Sequence, residues 1–126
     1  MGKKALVADD DPATRGVAVA CLKNAGFTAL EAADGVRAIE MAEADPPDVI
    51  LLDLLMPRRD GYAALLALRS RPSTRHTPVI ILSGEDDASQ AGVAKILGAQ
   101  GFFSKPLRPD ALIGLVHKLF PDGGGA

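Results

Sequence analysis

Short blocks of consecutive apolar residues punctuate the chain, with helix-like stretches between them. Ala5-Leu6-Val7-Ala8, Val49-Ile50-Leu51-Leu52 and Val79-Ile80-Ile81-Leu82 are apolar at every successive position. Consecutive rather than alternating apolar residues imply burial on both faces, as in a parallel sheet covered by helices. Residues 27–32 and 101–104 read as two further strands. After the first strand, Asp11 is placed to cap a helix whose first residue is Pro12; it runs to about Ala25 and stops at Gly26. Val17, Cys21 and Ala25, spaced by four, are expected on its core face. A second helix spans 34–44, with Val36, Ile39 and Met41 apolar, and ends at Asp45-Pro46-Pro47. A third covers 61–70, and a fourth, 88–97, stops at Gly98. The fifth, 109–120, carries Leu112, Leu115, Val116 and Leu119 as its buried stripe. Five such units predict a doubly wound α/β sandwich with a five-stranded parallel sheet and five helices.

The 126 residues suffice for one hydrophobic core and not for two. Residues 1–120 are therefore expected to form one domain, and 121–126, with three consecutive glycines, a flexible tail. An apolar share of 48% against 24% charged excludes a disordered chain. Cys21 is the only cysteine, which excludes a disulfide framework and suits a buried apolar role in a reducing, cytoplasmic location. A net charge of −2 argues against direct nucleic-acid binding. No apolar run approaches the roughly 20 residues of a bilayer helix, Met1-Gly2-Lys3-Lys4 lacks a signal core, and Leu6 breaks the myristoylation pattern, so no membrane association is expected.

In doubly wound sheets ligands bind at the carboxyl ends of the strands. Here those ends carry Asp9-Asp10-Asp11, Asp53, Ser83-Gly84 and Lys105-Pro106. Carboxylates gathered at about 4 Å repel by roughly 4 kcal/mol per pair at an effective dielectric near 20. Such a cluster must protonate or bind a cation, and a hard divalent ion such as Mg²⁺ takes oxygen ligands of this kind. Lys105 adds a mobile positive charge and Ser83 a hydroxyl donor. A carboxylate nucleophile, a metal and two donors meet the needs of phosphoryl transfer. Plainer roles compete at some positions. Asp11 reads as a helix cap only, Ser83 as a turn former, and Phe102 equally as core. His76 and His117 sit in contexts too different to suggest a metal pair.

These residues resemble the receiver domain of two-component response regulators. The resemblance rests on Ala5-Leu6-Val7-Ala8-Asp9-Asp10-Asp11-Pro12, on Asp53-Leu54-Leu55-Met56-Pro57 with Asp60-Gly61, on Ser83-Gly84, and on Phe103-Ser104-Lys105-Pro106. It covers about residues 4–120. It implies a flavodoxin-like receiver fold with strand order 2-1-3-4-5. It implies further that Asp53 is the phospho-acceptor, taking its phosphoryl group from a histidine kinase or a histidine phosphotransfer protein. Asp10 would bind Mg²⁺ directly, Asp9 mainly through water, and the Leu55 carbonyl would be a further ligand beside Asp53; Mn²⁺ is the alternative ion. Lys105 would pair with the phosphoryl oxygens, and its bond to Pro106 would be cis. Ser83 and Phe102 would form the switch. Leu55 and Glu85 would tune the phosphoryl lifetime; Leu55 offers an attacking water no side-chain hydrogen bond, so slow self-hydrolysis is expected. The resemblance makes the chain a signalling switch rather than an enzyme with a separate substrate. An output partner or a second copy would dock on the side of the fourth helix, fifth strand and fifth helix, where Phe102, Leu107, Ile113 and Phe120 are apolar; Tyr62 and Leu66 form a rival patch. Ser83 stands where the family more often has Thr, Phe102 where Tyr is common, and Leu107 where an aromatic is frequent.

The alternative is a Mg²⁺-dependent phosphohydrolase of the haloacid-dehalogenase type, which also uses an aspartyl phosphate. Against it, Asp9-x-Asp11 is followed by Ala13 where that pattern needs Thr or Val, and the chain is short for a cap domain. A flavin module is disfavoured because Asp9-Asp10-Asp11-Pro12 would repel a phosphate. A scaffold that is never phosphorylated is disfavoured because every chemical position is filled.

Overall fold

In the computed structural model the described residues are 2–54, 56, 61–83, 95 and 98–124. They form β1 (Lys4–Ala8), α1 (Pro12–Asn24), β2 (Thr28–Ala32), α2 (Gly35–Ala44), β3 (Val49–Asp53), α3 (Gly61–Arg69), β4 (Val79–Ser83), β5 (Gly101–Ser104) and α4 (Pro109–Leu119). The strands make one sheet in the order β2-β1-β3-β4-β5, and every adjacent pair is parallel. The helix expected over 88–97 lies outside the described residues, save for Lys95, which is helical. Four helices are therefore described where five were expected.

The central strand, β3, and its neighbour β4 are buried at every position, as their apolar runs require. Alternate side chains feed opposite faces of the sheet. Leu6, Ile50, Leu52 and Ile81 pack with Ile39, Leu65 and Leu68 of α2 and α3. Val7, Leu51, Ile80 and Leu82 pack with Leu22 of α1 and with Leu112 and Val116 of α4. The sheet is thus sealed on both sides, and its chemistry is confined to the strand ends.

The Asp11 carboxylate caps α1, accepting from the Ala13 N–H at 3.1 Å and the Thr14 hydroxyl at 2.6 Å. These bonds, that from Thr14 foremost, hold the Asp11 carboxyl below its ordinary value. The buried face of α1 is not quite the one expected. Val17 is 40% exposed, whereas Ala18, Cys21 and Leu22 are buried. The stripe is rotated by one residue, because six consecutive apolar positions, Val17–Leu22, leave its angle open to tertiary contacts. Burial raises the Cys21 thiol pKa, which keeps it a neutral core group.

Gly123 and Gly124 make backbone hydrogen bonds to the body of the domain, the Gly123 N–H donating to the Phe120 carbonyl at 2.8 Å. The Gly124 carbonyl accepts from the Lys3 N–H at 2.6 Å, and its N–H donates to the Ala25 carbonyl at 2.8 Å. Phe120 packs edge-on against Phe27 with ring centroids 5.3 Å apart. Phe120 is therefore engaged by the α1–β2 corner, and Leu107, 9% exposed, belongs to the core. Of the residues expected on the docking face, Leu107 is thus buried, Phe102 and Phe120 are half-buried and Ile113 is exposed.

Candidate functional site

The register of the sheet brings the chemical residues together. Asp9 follows β1, and its N–H extends the ladder to the Ala32 carbonyl of β2 at 3.1 Å. Asp53 ends β3 beside Leu82, and the next residue continues the pairing, with the Leu54 N–H 3.0 Å from the Leu82 carbonyl. Ser83 ends β4 opposite Ser104, and the Lys105 N–H donates to the Ser83 carbonyl at 2.6 Å. The Lys105–Pro106 peptide is cis. Four parallel strands therefore deliver their terminal side chains to one pocket.

Carboxylate oxygens of Asp9, Asp10 and Asp53 lie within 4.8 Å of one another. Asp9 and Asp53 are buried, whereas Asp10 is exposed and marks where the cluster meets solvent. Lys105 Nζ reaches Asp9 Oδ1 and Asp53 Oδ2, both at 3.1 Å. Asp9 Oδ1 also accepts from the Asp11 N–H at 2.8 Å. Asp9 Oδ2, fully buried, lies 3.0 Å from Lys105 Nζ but makes no hydrogen bond. Among the described residues, three clustered carboxylates face one ammonium, an excess of negative charge in a partly buried space. That charge, the unsatisfied Asp9 Oδ2 and an all-oxygen donor set fit a hard divalent cation.

Burial acts to lower the Lys105 pKa, but hydrogen bonds and Coulomb attraction from Asp9 and Asp53 outweigh it, so the net displacement is upward from 10.5. A raised folded value means that these contacts stabilise fully below the unfolded value and fade as pH rises through the folded one. The difference in melting temperature between the native chain and Lys105→Met should therefore stay constant up to about pH 10 and shrink above it. Thermal melts between pH 7 and 12 check this; a difference that closes below pH 9 would contradict it.

The structure thus brings together Asp9, Asp10, Asp53 and Lys105, and sets Ser83 at the end of the neighbouring strand. Phe102, on β5, packs half-buried against the core on the α2–α3 side. Leu55 and Glu85 lie outside the described residues. Arg15 had no part in the sequence reading, and Gly61 entered it only as a motif residue without a structural role. Arg15 contacts the Asp9 backbone, as described below; a basic residue four positions after the cap was its only sequence signal. Gly61 is pressed against the end of β3: a Cβ there would lie 2.2 Å from the Asp53 carbonyl oxygen.

Fold and site together define a doubly wound α/β domain with an acidic cluster and a bridging lysine at its strand ends. The chain belongs to the response regulator receiver domain family, whose pattern matches residues 5–117. It is 31% identical over 120 residues to Protein PilG of Pseudomonas aeruginosa, covering 95% of this chain and 89% of that one. Several other curated relatives are longer, and the chain spans 26% to 51% of their length. Among solved structures, the Vibrio cholerae chemotaxis protein CheY4 superposes with a TM-score of 0.87 at 29% identity, covering 95% of this chain and all of that one. The receiver domain of the sensor histidine kinase PA1611 from Pseudomonas aeruginosa superposes with a TM-score of 0.84 at 27% identity, covering 94% and 98%. That structure holds a magnesium ion coordinated in its active-site cleft. Nothing in these matches supports the phosphohydrolase alternative. Among the described residues, no helix is long and apolar enough to cross a membrane.

Proposed function

We propose that Asp53 is the phospho-acceptor and that Asp9, Asp10, Ser83 and Lys105 serve its reaction. The observation that carries this reading is the Lys105 ammonium bridging Asp9 and Asp53, 3.1 Å from each, inside a cluster of three acids. An Asp53 oxygen attacks the phosphorus of a phosphohistidine. A P–O bond forms as the P–N bond breaks, and the released imidazole nitrogen takes up a proton. Lys105 leaves its contact with Asp53 to meet the new phosphoryl oxygens, and the Ser83 hydroxyl lies on the adjacent strand to donate to them. Asp10 and Asp53, with Asp9 beside them, would hold Mg²⁺, which would supply charge neutralisation for the transferring group. The Leu55 carbonyl is proposed as a further ligand on the ground of the family resemblance, as is the tuning of lifetime by Leu55 and Glu85.

Phosphorylation adds close to two negative charges at one strand end. Ser83 and Lys105 respond, and Phe102, half-buried one strand away, transmits the change to the edge of the sheet. Beside Phe102, a groove of about 420 Å³ runs between β5 and α4, lined by Gly101, Phe103, Ala111, Gly114, Leu115 and Lys118. We place an output partner or a second copy there, with Ile113 at its margin. The phosphoryl donor is a histidine kinase or histidine phosphotransfer protein. The chain works as a switch that catalyses only its own modification, in the cytoplasm, and residues 1–120 form the receiver unit.

The test is incubation with acetyl phosphate and Mg²⁺, followed by mapping of an acid-stable, base-labile phosphoryl group to Asp53. A label mapped elsewhere, or no label with either acetyl phosphate or a donor kinase, would reject the reading. Cation binding has its own check. Mg²⁺ at a hundred times its dissociation constant should stabilise the fold by about 2.7 kcal/mol, read as a rise of several degrees in melting temperature. Asp10→Asn should lose most of that rise.

A further inference from the structure

The guanidinium of Arg15, on the first turn of α1, makes two hydrogen bonds in different directions. Its Nη1 donates to the backbone carbonyl of Asp9 at 2.8 Å, and its Nε donates to Glu31 Oε1 at 2.9 Å. The carbonyl it grips belongs to the peptide that joins Asp9 to Asp10. A peptide is planar, so its tilt sets the backbone angles on either side and hence the directions in which both carboxylates leave the chain. The N–H of Asp9 is held to Ala32 of β2, and Glu31, the second anchor of Arg15, is the neighbour of Ala32 on that strand. The first acidic residue is thus clamped through both its backbone groups to one strand.

We infer that Arg15 is a positioning residue for the cation site. Braced by Glu31, it fixes the Asp9–Asp10 peptide and so aims the two carboxylates at one ion. The inference rests on the cation-dependent reading of the site given above. Mg²⁺ demands near-ideal octahedral geometry, so a small error in the aim of its ligands is felt as lost affinity. The role needs a forked donor: a lysine carries the same charge, but its donors all leave one nitrogen and cannot copy the planar fork that spans these two acceptors. The Arg15 side chain is 20% exposed and its bond to the Asp9 carbonyl is partly buried, whereas Glu31 is half exposed.

The test measures Mn²⁺ binding to the intact chain by electron paramagnetic resonance of the free ion, alongside Mg²⁺-dependent labelling by acetyl phosphate. Arg15→Met should raise the Mn²⁺ dissociation constant by about tenfold or more, the scale on which outer groups control a metal site. Arg15→Lys should remain at least about threefold weaker than native, whereas Glu31→Gln, which keeps an acceptor oxygen, should stay within about twofold. A lysine variant with native affinity would reduce the effect to charge and overturn the inference. So would a methionine variant that melts lower yet binds Mn²⁺ as tightly as the native chain. If Arg15→Met fails to fold, Glu31→Leu removes only the brace and must itself weaken binding by about threefold; unchanged binding overturns the inference. Failure of the underlying reading looks different, because the native chain itself would then show no label at Asp53.

Discussion

Replacing Asp53 with asparagine should abolish phosphoryl labelling while leaving the fold intact. The amide keeps the volume of the carboxylate and one acceptor oxygen, so packing at the end of β3 is retained. It lacks the nucleophilic oxygen, and the rate of labelling by acetyl phosphate should fall by at least about a thousandfold, the order found when a nucleophile is removed. The substitution also deletes one of three clustered negative charges. Without added cation, the variant should therefore melt no lower than the native chain, even though it loses the contact with Lys105 at 3.1 Å. Full labelling of the variant, mapped to another carboxylate, would show that the pocket holds a different acceptor. Loss of labelling together with unfolding would trace the defect to structure, and circular dichroism separates the two.

The second large effect is expected at a residue with no chemistry of its own. Gly61 opens α3, and its N–H donates to the Leu54 carbonyl at 2.7 Å. A methyl group there would lie 2.2 Å from the Asp53 carbonyl oxygen and 2.3 Å from the Leu54 Cα. Both are backbone atoms of the strand end that carries Asp53, so no side chain can swing away to make room. Gly61→Ala should cost about 3 kcal/mol or more, a large share of the roughly 5–15 kcal/mol that holds a domain together. Because relief requires moving the backbone at Asp53, labelling should slow as well. Gly114→Ala is the matched control. It lies on the exposed side of α4 with nothing within 4 Å of the added carbon. That substitution should stabilise by up to about 1 kcal/mol, the helix preference of alanine over glycine. Chemical denaturation of both variants decides the matter: equal effects would mean that the crowding at Gly61 is relieved at no cost.

Much of this could be read before folding was considered. Unbroken apolar runs at Val49–Leu52 and Val79–Leu82 require burial on both faces, and a parallel sheet between helices is the architecture that provides it. Once the strands are placed, the sheet rule carries Asp9, Asp53, Ser83 and Lys105 to a common edge. Side-chain packing was less legible. Val17 sits in an apolar run where several helix faces look alike, and only contact with the neighbouring elements selects Ala18, Cys21 and Leu22 for burial. Leu107 and Phe120 read as surface residues by spacing on one helix and its approach, yet each meets a partner from another part of the chain. Phe120 finds Phe27, far away in sequence and adjacent in space. Glycine-rich composition carries no sign of the hydrogen bonds from Lys3 and to Ala25 that hold Gly124.

Local residue order by itself determined the layers of this protein and the kinds of side chain at its strand ends, because periodicity records burial and strand ends follow from periodicity. Tertiary structure alone decided how those side chains meet: the ammonium of Lys105 against Asp9, the guanidinium of Arg15 on the Asp9 carbonyl, the bare face of Gly61 against β3. Lys105 and Asp9 stand 96 positions apart. The Lys105 contact depends on the register and twist of several strands together, and no stretch of chain short enough to show a pattern contains both its partners.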